Sequence, residues 1–139
     1  MAETAEKISL EVVTPERRVL AHEVDEVVLP SAEGYLGVLP GHAPLLAMLD
    51  VGEVSYRTGT ERRYMAVTGG FAEVLRDSVS ILAKTSELAE EIDIDRARRA
   101  KERAESELKQ DPPAHQMRRA EVKLKRALCR IQVHGTHQR

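Results

Sequence analysis

Charged residues in the second half of the chain recur at spacings typical of one helix face. Asp93, Arg96 and Arg103 are separated by three and seven positions, and Arg126 and Arg130 by four. Side chains at such spacings lie on the same side of an α-helix. If the two helices run antiparallel, the guanidinium groups of both converge, and this suits a triphosphate because arginine forks match phosphate oxygens. A bound nucleotide would neutralise their repulsion and favour the compact hairpin.

A simpler interpretation of the same residues stays open. Asp93 is a good N-cap, and an Asp–Arg pair three residues apart is ordinary helix support worth about 0.2–0.5 kcal/mol. No glycine-rich phosphate loop precedes the region, so we expect no nucleotide hydrolysis by this chain. The five histidines and Cys129 lack a metal-ligand spacing, and no catalytic triad or carboxylate pair stands out. We therefore expect neither a metal site nor a catalytic site.

The elements that position these residues follow from two periodicities. The first part of the chain has short apolar runs with period-2 alternation, separated by Gly and Asp. Such runs predict an antiparallel β-sandwich or flattened barrel. The predicted strands are 8–12, 18–20, 24–29, 35–39, 45–49, 51–57, 62–67, 71–75 and 78–84.

The period becomes helical after Glu87. Strong helix formers fill 93–109, prolines 112 and 113 interrupt them, and a second helix is predicted over about 114–133. So short a break predicts an antiparallel αα-hairpin, which makes the fold class α+β with domains 1–87 and 88–139. The apolar stripes of the two helices are Ala97, Ala100, Ala104 and Leu108, and Met117, Ala120, Leu124, Ala127, Leu128 and Ile131. A stripe rich in alanine buries little area, so we expect a weakly held arm that can detach.

Charge and composition limit the function classes. The net charge is −2, but residues 1–85 carry 8 Lys and Arg against 13 Asp and Glu, and residues 86–139 carry 13 against 10. The basic excess is concentrated in residues 115–130, where Glu121 is the single acidic residue. The basic residues of this stretch are Arg118, Arg119, Lys123, Lys125, Arg126 and Arg130. This run predicts an acidic partner, although a solvated helix face is the simpler alternative.

The composition also bears on two other function classes and on the compartment of the protein. A nucleic-acid-binding module would need a basic chain with exposed aromatics, and this chain has four aromatic residues and no Trp. A small nucleotide-sensing enzyme would need a general base or metal site near the arginines. A single cysteine fits a reducing compartment, and no signal peptide or apolar membrane-spanning run is recognisable, so no direct bilayer insertion is expected.

Three motifs together resemble the epsilon subunit of F-type ATP synthases. Residues 31–45 read SAEGYLGVLPGHAPL, residues 67–74 read VTGGFAEV, and residues 92–97 read IDIDRA. The resemblance implies a central-stalk rotor subunit without catalysis of its own, which couples proton flow to ATP synthesis. It also implies a peripheral position on the cytoplasmic face of the bacterial inner membrane.

The sandwich would contact the gamma subunit and the c-subunit ring through a loop that holds Glu33, Tyr35 and His42, although some relatives have an acidic residue in place of Tyr35. As an alternative, the Gly and Pro residues of this loop only shape a turn.

The hairpin of this family is a regulatory arm. The resemblance implies that the docked arm permits ATP hydrolysis, whereas the arm extended along gamma reaches the alpha and beta subunits and inhibits it. An acidic segment of beta would then meet Arg118, Arg119, Lys123 and Lys125. The I-D-x-x-R-A pattern implies regulatory ATP binding with no required cofactor, through Glu87, Ile92, Asp93, Arg96, Ala97, Arg103, Arg126 and Arg130.

Overall fold

The computed structural model describes residues 7–137 as an N-terminal β-structure followed by two helices. The strands are β1 Ile8–Val13, β2 Arg18–Val24, β3 Glu26–Ser31, β4 Gly34–Val38, β5 Leu45–Thr58, β6 Glu61–Val74, β7 Ser78–Ala83 and β8 Ser86–Leu88. A 3-10 turn, Ala89–Glu91, leads into α1, Ile94–Lys109, and α2, Ala114–His137. The predicted α+β fold class is confirmed.

The β-structure is a single sheet that folds back on itself. Its order is β2-β1-β7-β6-β5-β3-β4, with β8 paired to β6. β5 and β6 pair along their whole length, while β7 joins residues 70–74 of β6 and β8 joins residues 65–67. β2, at one edge of the sheet, also contacts β5 and β8. The two layers thus enclose one apolar core, built largely from Val, Leu and Ile side chains.

Two pairs of predicted strands proved to be single strands. The predicted strands 45–49 and 51–57 form β5, and 62–67 and 71–75 lie in β6. Gly69 and Gly70 have φ of 91° and 127°, so β6 changes direction there without ending. A Cβ on Gly70 would lie 2.0 Å from the Leu82 carbonyl oxygen, so only glycine permits this approach to β7. Pairing is antiparallel except between β1 and β7, which run parallel.

The helices lie close to their predicted positions. Asp93 is the N-cap of α1, and its carboxylate accepts a hydrogen bond from the Arg96 N–H at 3.1 Å. Asp111, at φ 48°, reverses the chain before the two prolines. α2 continues four residues past the predicted end at 133. The two helices pack on each other, and the alanines buried along them are Ala97, Ala104, Ala120 and Ala127.

The helical hairpin, called the arm below, lies on the sandwich through α2. This helix contacts β5, β6 and the 3-10 turn. The buried side chains there form a docking cluster of Ala66, Ala89, Ile92, Cys129 and Val133. The predicted stripe was therefore wrong in one respect, because Leu128 is 44% exposed. Its neighbour Cys129 faces the sandwich instead. Within residues 7–137, neither helix is long and apolar enough to cross a membrane.

Candidate functional site

A cleft of about 670 Å³ runs between the two helices and the connection from β8 to α1. We call it the cationic cleft. Seven of the eight residues predicted for a nucleotide site line it, namely Glu87, Asp93, Arg96, Ala97, Arg103, Arg126 and Arg130. The antiparallel hairpin brings these residues together from three separate stretches of sequence. The eighth, Ile92, is buried in the docking cluster, so its side chain helps to anchor the arm.

Among residues 7–137, two of the four acidic residues that line the cleft have basic partners. Glu87 accepts a hydrogen bond from Arg130. Both carboxylate oxygens of Glu91 lie 3.0 Å from Arg17 in the β1–β2 turn, and one also accepts the Leu88 N–H at 2.9 Å. The hydrogen bond from Arg17 lowers the pKa of Glu91, and the same bond raises the pKa of Arg17. These acids therefore organise the walls of the cleft and neutralise only part of its positive charge.

Most cations of the cleft lack an acidic partner. Among residues 7–137, five basic residues that line it make no ion pair within 4.0 Å: Arg96, Arg99, Arg103, Lys123 and Arg126. The Nε of Arg126 is buried, and within that range it has no hydrogen-bond partner. A buried donor without an acceptor is costly. The arrangement therefore suits an anion that supplies several acceptor oxygens.

The sequence prediction missed several lining residues. They are Glu91, Arg99, Ala100, Ala104, Glu107 and Ala127, together with Lys123, which was assigned to partner binding. Arg99 carried a usable signal, because it lies three residues after Arg96 and four before Arg103. Glu91 carried none, because its orientation depends on Arg17, more than seventy residues earlier. The described part of the chain holds no group of three His, Cys, Asp or Glu residues placed for a metal.

The basic residues predicted to bind a partner fall into two groups. Lys125 lies 2.9 Å from both carboxylate oxygens of Asp50 and so ties the arm to β5. This hydrogen bond lowers the pKa of Asp50. Arg118, Arg119 and Lys123 are exposed and line a second concave surface. Lys125 is therefore a docking contact in this conformation.

The predicted loop contacts lie at an exposed part of the sandwich. Tyr35 is 64% exposed, Glu33 is exposed and His42 is half-buried. The strand register places Met48, Phe71 and Leu82 side by side across β5, β6 and β7. All three are about half exposed or more, and the sequence prediction did not include them. We call these three residues the apolar face, and Leu46, two residues from Met48 on β5, extends it. Other exposed apolar side chains of the sandwich are Tyr35, Leu39, Leu45 and Leu75.

Comparison with known proteins agrees with this architecture. Residues 7–89 match the family model for the β-sandwich domain of the ATP synthase Delta/Epsilon chain, and residues 90–135 match its long α-helix domain. The boundary predicted after residue 87 stays a prediction.

Individual relatives span the same length. An ATP synthase epsilon chain of Syntrophobacter fumaroxidans is 51% identical over 93% of this chain and 96% of its own. Epsilon chain 2 of Syntrophotalea carbinolica is 48% identical over 94% and 96%. A chain of the mitochondrial ATP synthase of Euglena gracilis has the same fold, with a TM-score of 0.83, 23% identity and coverage of 99% and 85%. The chain belongs to the ATP synthase epsilon-chain family.

Proposed function

We propose that the arm of this central-stalk subunit senses ATP and controls ATP hydrolysis by the assembly. Members of the family are non-catalytic subunits of an enzyme that couples ion transport to ATP synthesis. The observation that carries the proposal is the cationic cleft, in which five basic side chains face a space of about 670 Å³ without acidic partners among residues 7–137.

The cleft links ligand binding to the position of the arm. Glu87 lies in β8 of the sandwich and Glu91 in the 3-10 turn that follows it, whereas Arg103 and Arg126 belong to the two helices. A ligand that spans these walls binds only the folded arm and therefore raises its population. Without the ligand, the clustered cations repel one another and favour extension.

Different side chains of the cleft would bind different parts of a nucleotide. Arg103 and Arg126, with Arg96 and Arg99 beside them, offer planar forks to phosphate oxygens. Arg130 is held by Glu87, which fixes the guanidinium at the sandwich end of the cleft. One Asp93 oxygen caps α1, and the other remains an acceptor for the amino group of adenine.

The sandwich supplies the attachment to the rotor. The apolar face is exposed to water, and exposed apolar faces typically mark protein interfaces. We assign it, with Glu33, Tyr35 and His42, to contacts with the gamma subunit and the c-subunit ring. The protein would thus be peripheral on the cytoplasmic face of the bacterial inner membrane, and it would take part in coupling proton flow to ATP synthesis.

The extended arm would act on the catalytic subunits. Arg118, Arg119 and Lys123 are already exposed in the docked arm, and Lys125 becomes available when it leaves Asp50. In that state they would bind an acidic segment of beta, close to alpha, and block rotation in the hydrolysis direction. Lys125 cannot hold Asp50 and beta at once, so docking and inhibition exclude each other.

Calorimetric titration of the full chain with ATP and ADP tests the proposal. We expect saturable ATP binding that weakens about tenfold or more in Arg103→Ala and Arg126→Ala, because each removes charge-assisted hydrogen bonds. Lys101→Ala is the matched control, since Lys101 is a cation of α1 outside the cleft that contacts Glu105 at 3.7 Å. Absence of ATP binding at millimolar concentration, or equal losses in all three variants, would refute the nucleotide site.

A further inference from the structure

A second concave surface continues the cationic cleft toward the loop between the helices. This basic groove measures about 510 Å³ and is lined by His115, Arg118, Arg119, Val122, Lys123 and Arg126. Lys123 and Arg126 line the cleft as well. The two surfaces therefore share a wall, and an anion in one can extend into the other.

The shared wall is one face of α2. Arg119, Lys123, Arg126 and Arg130 follow one another at intervals of four, three and four residues, so they form a continuous row on the helix. At 1.5 Å per residue, the row from Arg119 to Arg130 is roughly 16 Å long. Its cations thus follow a line and do not surround a single point.

The groove offers hydrogen-bond donors almost exclusively. Among residues 7–137, no Asp, Glu, Asn, Gln, Ser or Thr lines it. Within the described range 7–137, Arg118, Arg119 and Lys123 make no ion pair, and the buried Nε of Arg126 has no hydrogen-bond partner. Guanidinium and ammonium groups cannot accept hydrogen bonds. The fitting ligand is therefore a chain of acceptors.

We propose that the docked arm binds linear inorganic polyphosphate, with the chain lying along the basic groove and its end in the cationic cleft. A phosphate chain carries acceptor oxygens on every unit and no donors when ionised, which matches this lining. An extended acidic peptide laid in the groove of the docked arm matches it less well, because its backbone N–H groups would find no protein acceptor there. The proposal goes beyond nucleotide sensing, since a phosphate chain needs neither base nor ribose.

The test compares chain lengths in the full-length protein. Calorimetry measures the binding of tripolyphosphate and of a long-chain polyphosphate at one ionic strength, with ATP in parallel. The groove variant is R118A/R119A, which leaves the lining of the cationic cleft intact. The matched control is R98A/K101A, which removes the same charge from α1 outside both surfaces, where these side chains contact Asp95 and Glu105.

We expect long-chain polyphosphate to bind more tightly than tripolyphosphate. In R118A/R119A the affinity for long-chain polyphosphate should fall about tenfold, while the affinities for tripolyphosphate and ATP should stay the same. Equal affinity for both chain lengths, or an equal loss in the control variant, would overturn the proposal. Poly-L-glutamate that binds as tightly and shows the same loss would also overturn it in favour of acidic peptides. Groove-dependent polyphosphate binding without any ATP binding would refute nucleotide sensing and leave this proposal standing.

Discussion

Lys125 shows at the residue scale how a basic side chain can have two incompatible partners. In the docked arm it contacts both carboxylate oxygens of Asp50 and lowers the pKa of that carboxyl. Both side chains are about half exposed, so the pair contributes only about 0–1 kcal/mol after solvent screening. The arm is thus held at this point by a contact that competing charges can replace.

The Asp50 pKa provides the first prediction. An Asp whose folded pKa is lowered stabilises docking above its unfolded pKa of about 3.9, and this contribution is lost as the pH falls through the folded pKa. We expect a side-chain carboxyl NMR titration to give Asp50 a pKa below the ordinary value, and Lys125→Met to raise it.

Asp25 is the internal control for that titration. Its pKa is lowered by Lys7 and by the Gly59 N–H, far from Lys125 in the sequence. It should keep its pKa in Lys125→Met. An Asp50 pKa that does not respond to the substitution would show that the ion pair is not populated in solution.

Cys129 offers a direct readout of arm position. It is the single cysteine of the chain and is 9% exposed in the docking cluster. Burial raises the pKa of the thiol to about 11, so very little reactive thiolate exists near neutral pH. An undocked arm exposes this thiol and returns its pKa toward about 8.5. The rate of alkylation of Cys129 therefore measures how often the arm leaves the sandwich.

At the element scale, the connection from β8 to α1 decides where the arm begins. Glu91 joins the 3-10 turn to the β1–β2 turn through Arg17, and it lines the cationic cleft as well. Arg17 thus acts on the cleft through Glu91 and is a positioning residue.

Arg17→Gln should weaken ATP binding about two- to fivefold, because an exposed ion pair makes a small contribution and Glu91 would lose its orientation. The measurement is calorimetry, with the melting temperature of the ligand-free protein as a second readout that should hardly change. Arg18→Gln is the matched control, since Arg18 forms a similar exposed pair with Glu11 at 3.0 Å. Equal ATP affinities in the two variants would contradict a role for Arg17.

Val133 provides a third prediction, for the docking of α2. It is fully buried in the docking cluster, whereas Leu128 on the same helix is 44% exposed. Val133→Ala should weaken docking by about 1–2 kcal/mol through lost burial and a small cavity. Alkylation of Cys129 should then accelerate about tenfold, because 1.4 kcal/mol is a factor of ten.

Leu128→Ala is the control on the neighbouring face of the helix. An exposed substitution changes stability by at most about 0.5 kcal/mol, so the alkylation rate should stay close to that of the original chain. If Leu128→Ala accelerated alkylation more than Val133→Ala, the assignment of the Val133 side of α2 as the docking face would be wrong.

Local patterns predicted the elements better than their arrangement. Period-2 runs and the helix-breaking prolines predicted the strands, both helices and the hairpin turn. Helical spacing predicted five cleft residues, and the family resemblance added Glu87 and Ala97. The sequence did not predict that β5 continues through Asp50, because an Asp between two apolar runs usually marks a turn. The parallel pairing of β1 with β7 and the docking role of Cys129 depend on contacts distant in sequence, which no local periodicity encodes.

At the scale of the whole molecule, the chain has two apolar centres of unequal size. The large one is built entirely from sandwich residues, and the docking cluster joins only a few side chains of the two parts. α1 makes its main contacts with α2 and not with the sheet. Such a distribution predicts two cooperative units, of which the arm opens at lower free energy.

Native-state hydrogen exchange tests this division. We expect amides of α1 to exchange through an opening of lower free energy than amides at the centre of β6, because α1 depends on the small docking cluster. Saturating ATP should raise the opening free energy of the arm by RT ln(1 + [L]/Kd), which is about 2.7 kcal/mol at a hundredfold excess over Kd. Amide exchange in the arm should slow accordingly. The β6 amides that exchange only on global unfolding gain the same increment, because global unfolding also destroys the ATP site, so the two units are distinguished by their opening free energies without ATP. Equal opening free energies in α1 and β6 would therefore make the molecule one cooperative unit and remove the physical basis for an arm that detaches by itself.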